Sequence, residues 1–194
     1  MGHSMGGAEV LTYASLGPAS LLSQIRGIIS IAPLIALHPS TRPWRSTVAL
    51  GRMAGKLLPR FQLVQALRPE WLSHDMSRNE ELKADPLNHD TGTLEGLAGM
   101  LDRALSLENG ELDVKEGVMQ GGKSRFVVLH GDDDHVNLFD ASREFVDRCK
   151  SVGDREFRAY RGGYHNCELM SFNLLCSSFL EVGLESLWIG NAGY

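Results

Sequence analysis

The 194-residue chain has little cysteine: Cys149, Cys167 and Cys176, an odd number without framework spacing. That excludes a small disulfide-stapled scaffold and predicts free thiols in a reducing compartment. No apolar run approaches the ~20 residues that a membrane-spanning helix needs. The start lacks a charged segment followed by an apolar one, so no secretory leader is expected and a cytoplasmic protein is. Basic charge is not in excess either: 19 Lys and Arg face 24 Asp and Glu, a formal net charge of −5. A general nucleic-acid binder would normally be basic, so nucleic acid is not expected as a partner. There is no internal repeat and no low-complexity segment.

What is present is the composition of one globular domain, 43% hydrophobic and 22% charged, long enough to bury a sizeable core. The 21 glycines suggest many tight turns in an α/β protein. After an opening Gly2-His3-Ser4-Met5-Gly6, the stretch GAEVLTYASLGP reads as a helix stopped by Gly17-Pro18. Ile25 to Ile35 is a β-branched apolar run of the kind found in a strand buried on both faces. Residues 38–111 are rich in helix formers but broken by five prolines, which predicts several short helices. Strand and helix signals then alternate: SRFVVLHGDDDHV, LFDASREFVDRCKSVG, REFRAYRGGYHN, and a closing apolar helix over ELMSFNLLCSSFLEVGLESLW. Alternation of this kind predicts βαβ units and a mostly parallel sheet. The expected division is a core of 1–37 and 112–194, with 38–111 inserted as a helical cap.

The opening stretch is a G-x-S-x-G pattern, which about one chain in fifteen of this length would show by chance. Here a helix follows at once, and two partners lie downstream in a fitting order. In such an elbow the serine sits on a strained strand-to-helix turn where a nearby Cβ would clash. A serine hydroxyl needs an imidazole as base, and the imidazole needs a carboxylate to fix its tautomer. Asp132, Asp133 and Asp134 follow one predicted strand, and His165 follows another. Both loops leave the C-terminal ends of parallel strands, where α/β sheets place their sites. The order Ser4, Asp134, His165 predicts an α/β-hydrolase arrangement. The same acidic loop offers His130, Asp132 and His135 as an alternative metal site. Those histidines stand five apart on a strand-to-loop path, not on one helix face, so no metal is expected. His38, His74 and His89 lie in polar stretches and are expected to face solvent.

GHSMGG, HGDDDHV and YRGGYHN resemble the three signature segments of the monoglyceride lipase branch of the α/β-hydrolases. Asp85 to Leu105 resembles the segment joining cap to core, particularly in fungal members. The resemblance spans essentially the whole chain. It implies Ser4 as nucleophile, His165 as base and then acid, and Asp134, in the pattern Gly131-x-x-Asp134-x-Val136, as the orienting carboxylate. It also implies the backbone N–H of Met5 as an oxyanion donor and His3 at the acyl or glycerol pocket. The implied reaction cleaves monoacylglycerol to glycerol and fatty acid through an acyl-serine, with no cofactor. A carboxylesterase, a lysophospholipase or an aminopeptidase-like activity remains open on the same scaffold. The family has roughly a hundred further residues before the elbow, carrying the first strands and a His-Gly loop with the second oxyanion donor. Met1 is therefore expected to be an internal methionine of a longer parent, this chain being its C-terminal portion. Two consequences are expected: an apolar edge at Ile25 to Ala32, and an elbow without a strand to hold it. An impaired or inactive remnant is the alternative to an enzyme.

One cap helix, PWRSTVALGRMAGKLLP, gathers Arg45, Arg52 and Lys56 within about 40° of arc. Trp44, Val48, Leu50, Ala54, Leu57 and Leu58 take the broad opposite side. Such a helix either packs on its own core or rests on an anionic membrane or lipid droplet.

Overall fold

The computed structural model describes residues 1–166. The closing apolar helix expected from Glu168, together with Cys167 and Cys176, lies outside the described residues. The chain begins with a two-residue strand β1 (Gly2–His3), a helix α1 (Met5–Leu16), a single helical turn α2 (Ala19–Leu22) and strand β2 (Ile28–Ile31). Later come strand β5 (Arg125–Gly131), helix α6 (Phe139–Arg148) and strand β6 (Asp154–Tyr160). The four strands form one parallel sheet in the order β1-β2-β5-β6.

Alternation along the strands sorts side chains to two faces. Ile28 on β2 and Phe126 and Val128 on β5 join Leu11, Leu107 and Phe145 in the main core, under α1, α6 and the later helix 94–108. Ile31, Ala32 and Leu129 form a smaller cluster on the other face. Helix α1 ends as predicted: Gly17 is extended (φ −61, ψ 153), the conformation that a following proline favours.

Between the core strands lie helix α3 (Arg45–Leu57), strand β3 (Gln62–Val64), helix α4 (Met76–Ala84), strand β4 (Thr91–Thr93) and helix α5 (Leu94–Glu108). Asp75 caps α4 by accepting from Ser77 N at 2.9 Å, and Thr93 caps α5 by accepting from Gly96 N at 3.1 Å. The several short helices expected here are present. The antiparallel β3–β4 ribbon was not foreseen, because each strand is only three residues long.

Two expectations about β2 are corrected. The apolar run to Ile35 is not all strand: Ala32 turns into the left-handed region (φ 42), and Leu34, Ile35 and Ala36 are buried as a loop. Apolar runs report burial, not strand length. Nor is the upper half of β2 an open edge, because Gly2 pairs with Ser30 and His3 with Ile31.

Candidate active site

The site is built where β1, β5 and β6 end. Ser4 sits at φ 54, ψ −119, a strained conformation for a residue with a Cβ. Three backbone bonds hold it there. Ser4 N donates to Ile31 O at 2.9 Å, while Ser4 O accepts from Ala8 N at 3.1 Å and from Leu34 N at 3.0 Å. The elbow therefore does have a strand, short but registered against β2. Crowding explains two of its glycines. A Cβ on Gly2 would be driven into the Gly6 carbonyl, and one on Gly7 would come within 2.9 Å of Ser30 Oγ. Gly6 differs: a Cβ there would meet nothing within 4 Å, so space alone does not demand glycine.

Ser4, Asp134 and His165 come together in a line. Ser4 Oγ lies 2.9 Å from His165 Nε2, and His165 Nδ1 lies 2.9 Å from Asp134 Oδ2. A carboxylate only accepts, so His165 Nδ1–H donates to Asp134 and Nε2 is left to accept the Ser4 hydroxyl proton. His165 and Asp134 are buried, and Ser4 is half-buried. Of the three adjacent aspartates only Asp134 turns inward. Its Oδ1 accepts from Val136 N at 2.7 Å and Asn137 N at 3.0 Å, which closes the loop after β5 around it. Asp132 and Asp133 stay exposed. Burial by itself would push the Asp134 carboxyl up. Hydrogen bonds from His130 and then His165 outweigh it and hold the group well below the usual carboxylate range.

Met5 opens α1, whose first-turn N–H groups have no partner within the helix and point where the elbow delivers Ser4. His3 is half-buried beside the site. Its ring centre is 4.9 Å from that of His165, and its Nε2–H donates to the His165 carbonyl at 3.1 Å. Burial, then the neighbouring His165, pushes the His3 imidazole below its ordinary value.

Several contributors were not legible beforehand. His130, weighed above only as a metal ligand, is wholly buried, with Nε2 3.0 Å from Asp134 Oδ2 and Nδ1 2.8 Å from Ser142 Oγ. Asn137 reaches across with Nδ2 2.7 Å from Ala32 O, tying the acid loop to the loop beneath the elbow. A strap from the segment between β2 and β5 grips the histidine loop: His165 N donates to Trp71 O at 3.4 Å and Asn166 N to Leu72 O at 2.8 Å. His74 continues that strap, donating from Nε2 to Gly162 O at 2.9 Å and stacking on Tyr164. His74 and His89 are exposed, as expected, although His74 makes these contacts as well; His38 is half-buried and meets His135 edge-on. His130 and Asn137 had a sequence signal in their nearness to Asp134; the strap had none. The alternative metal site does not assemble. His130 turns to Asp134, Asp132 accepts from Gly162 N, and His135 faces Asp133. Among the described residues no group of histidine, cysteine or acidic side chains could hold a metal ion.

Helix α3 lies on α5 through its small side, where Gly55 approaches Leu94 and Arg52 pairs with Asp102. Leu50, Met53 and Leu57 point away, 66%, 66% and 83% exposed, near an exposed Trp44. The side chain of Arg45 lies outside the described residues. Among the described residues no helix is long and apolar enough to cross a membrane.

Comparison with known proteins agrees with this geometry. Residues 1–169 match the family profile described as serine aminopeptidase, S33. The monoglyceride lipase of Saccharomyces cerevisiae is 30% identical over 166 residues, 85% of this chain and 52% of that protein. The crystal structure of a soluble variant of that yeast enzyme, in complex with a substrate analog, superposes with a TM-score of 0.76 at 26% identity, covering 93% of this chain and 61% of the other. The monoacylglycerol lipase of Paleococcus ferrophilus shares the fold, with a TM-score of 0.75 at 24% identity over 94% of this chain and 66% of its own. The chain spans about half the length of the curated relatives it matches.

Proposed function

Because the chain belongs to the serine aminopeptidase, S33 family, we propose that it carries the reacting groups of a serine ester hydrolase that cleaves monoacylglycerol to glycerol and fatty acid. The observation that carries this reading is the unbroken line from Ser4 Oγ through His165 to Asp134, with both bonds at 2.9 Å. Ser4 is assigned as the nucleophile. As Oγ attacks the ester carbonyl, its proton passes to His165 Nε2, and Asp134 stabilises the imidazolium through Nδ1–H. The developing oxyanion is assigned to the N–H of Met5 at the start of α1. His165 then gives the proton to the departing glycerol oxygen, leaving an acyl-Ser4. Water, deprotonated by the same nitrogen, attacks that ester and releases the fatty acid. His3 is assigned to the glycerol end of the site, beside His165.

Residues 38–111 are assigned as the cap over a core of 1–37 and 112–194. We assign the outward stripe Leu50, Met53 and Leu57 to contact with a lipid surface, reached from the cytoplasm, from which a single-chain lipid enters. Monoacylglycerol is preferred to a peptide because such a stripe suits a substrate that resides in lipid. The lipase names of the relatives point the same way.

A fluorophosphonate probe tests the chemistry on the chain beside Ser4→Ala. Labelling of the parent alone, with glycerol released from monooleoylglycerol but no amine from aminoacyl anilides, is expected. Equal labelling of both would indicate an inactive remnant, and amine release without glycerol would favour the peptidase reading.

A further inference from the structure

His130 has no part in the reaction just described, yet it is one of the best-satisfied buried groups in the molecule. It is the penultimate residue of β5, with no exposed surface, and Phe139 lies edge-on 5.7 Å away. An apolar side chain would suit such a position at less desolvation cost. Both ring nitrogens are instead engaged. Nε2 faces Asp134 Oδ2 at 3.0 Å, the same oxygen that His165 Nδ1 reaches at 2.9 Å. Nδ1 faces Ser142 Oγ of α6 at 2.8 Å. The chemistry of the partners fixes the protons. An ionised carboxylate accepts only, so His130 Nε2 carries a hydrogen; in the neutral ring Nδ1 is then an acceptor, and the Ser142 hydroxyl must donate to it. The carboxylate thus selects the tautomer, and Ser142 supplies the proton that the remaining ring nitrogen accepts.

We propose that His130, its second ring nitrogen satisfied by Ser142, is a positioning residue that holds Asp134 Oδ2 where His165 Nδ1 meets it. Two backbone amides already anchor Oδ1. Among the described residues Oδ2 has only the two imidazoles, and one of them, His165, changes charge in every cycle of the mechanism proposed above. When His165 is neutral, its bond to Asp134 is at its weakest, and His130 still pins the oxygen. When His165 becomes an imidazolium, His130 resists the pull that would draw the carboxylate out of its amide cradle. The heightened acidity of Asp134, to which the His130 hydrogen bond contributes most, accords with this.

This inference rests on the reading of Asp134 as the orienting carboxylate, but its central observable does not depend on turnover. In the full chain labelled with ¹⁵N-histidine, the resonances of His130, assigned by comparison with His130→Gln, should report the Nε2–H tautomer at neutral pH. Ser142→Ala should keep the Nε2–H tautomer, because the carboxylate holds it, and shift only the Nδ1 resonance as that nitrogen loses its donor. An Nδ1–H tautomer in the parent protein would overturn the proposal whatever the enzyme does. Reactivity supplies the second arm. His130→Leu, which removes the donor, should slow fluorophosphonate labelling of Ser4 about 10- to 100-fold, the usual cost of losing a group that supports a reacting one. It should also displace the low-field Nδ1–H proton of His165. His130→Gln, whose amide nitrogen takes the place of Nε2, should restore most of the rate and the proton position. Equal loss in both variants, or no loss in either, would reduce His130 to a packing residue. If His130→Leu fails to fold, the tautomer in the parent protein and its persistence in Ser142→Ala decide the matter. A parent that does not react with the probe but shows His130 as Nε2–H would refute the proposed hydrolysis and leave the tautomer assignment standing.

Discussion

The loops above the sheet and the segment 38–111, inserted between β2 and β5, treat polar and apolar groups in opposite ways. Around Asp134, polar side chains are buried and almost all are bonded: one carboxylate accepts from two rings and two amides. Beneath them Phe145, Leu11 and Val128 have no exposed surface. On that segment α3 has no buried residue among those described, and large apolar groups such as Leu57 lie largely open. Interior packing specifies position to a fraction of an ångström, which is what a proton transfer between Ser4 and His165 requires. An open apolar face specifies nothing by itself and suits a surface that must meet lipid. The two regions touch at the strap of Trp71, Leu72 and His74, which bonds the backbone of the histidine loop directly.

The contrast can be broken most severely at the buried line. Ser4→Ala should remove turnover by roughly 10⁶-fold, and Asp134→Asn by about 10⁴-fold through the wrong His165 tautomer. Ester hydrolysis rates, with circular dichroism as a control for folding, measure both. Next in size is stability. Phe145→Ala should cost about 3–5 kcal/mol in chemical denaturation, whereas Leu57→Ala should stay within about 0.5 kcal/mol. A similar cost for both would erase the distinction between packed core and open helix.

Acid should sharpen it further. Asp134 is more acidic folded than unfolded, so its contribution is complete above its ordinary value of 3.8 and is lost as pH falls below that. His3 is less basic folded than unfolded. It costs nothing above 6.5 and destabilises the fold as pH drops below 6.5. A melting-temperature profile should therefore decline in two stages on acidification. His3→Gln should remove the upper stage and leave the lower. The smallest effect on the fold belongs to α3: replacing Leu50, Met53 and Leu57 with serine should leave the melting temperature nearly unchanged while weakening partition onto lipid vesicles. Unaltered partition would remove the case for that stripe.

How much of this was legible depended on the range of the interactions. The elbow was, because a glycine-flanked serine running into a helix is a local pattern, although Gly6 turned out not to be crowded. The parallel strands after Gly27 and Ser124 were legible from β-branched runs, but the end of β2 at Ile31 was not, since Leu34 and Ile35 are equally apolar in a loop. The packing of α3 was legible in part: Val48 and Ala54 of its apolar side are half-buried. Charge and apolarity were both weighed, but it is the small residues near Gly55 that let α5 approach. The roles of His38 and His74 escaped notice because their partners, His135 and the Gly162–Tyr164 turn, are distant in the chain.

The amino-acid sequence alone carried the parallel-sheet pattern, through strand periodicity, and, through its resemblance to the α/β-hydrolases, the order Ser4, Asp134, His165. Local patterns of this kind lie within each segment. Tertiary structure alone decided that Asp134, which turns inward as that resemblance implied, shares one oxygen between His130 and His165, and that a strap of Trp71, Leu72 and His74 holds the histidine loop. Each of these depends on hydrogen-bond partners brought from separate elements. A buried polar group takes its role from the partners that satisfy it there.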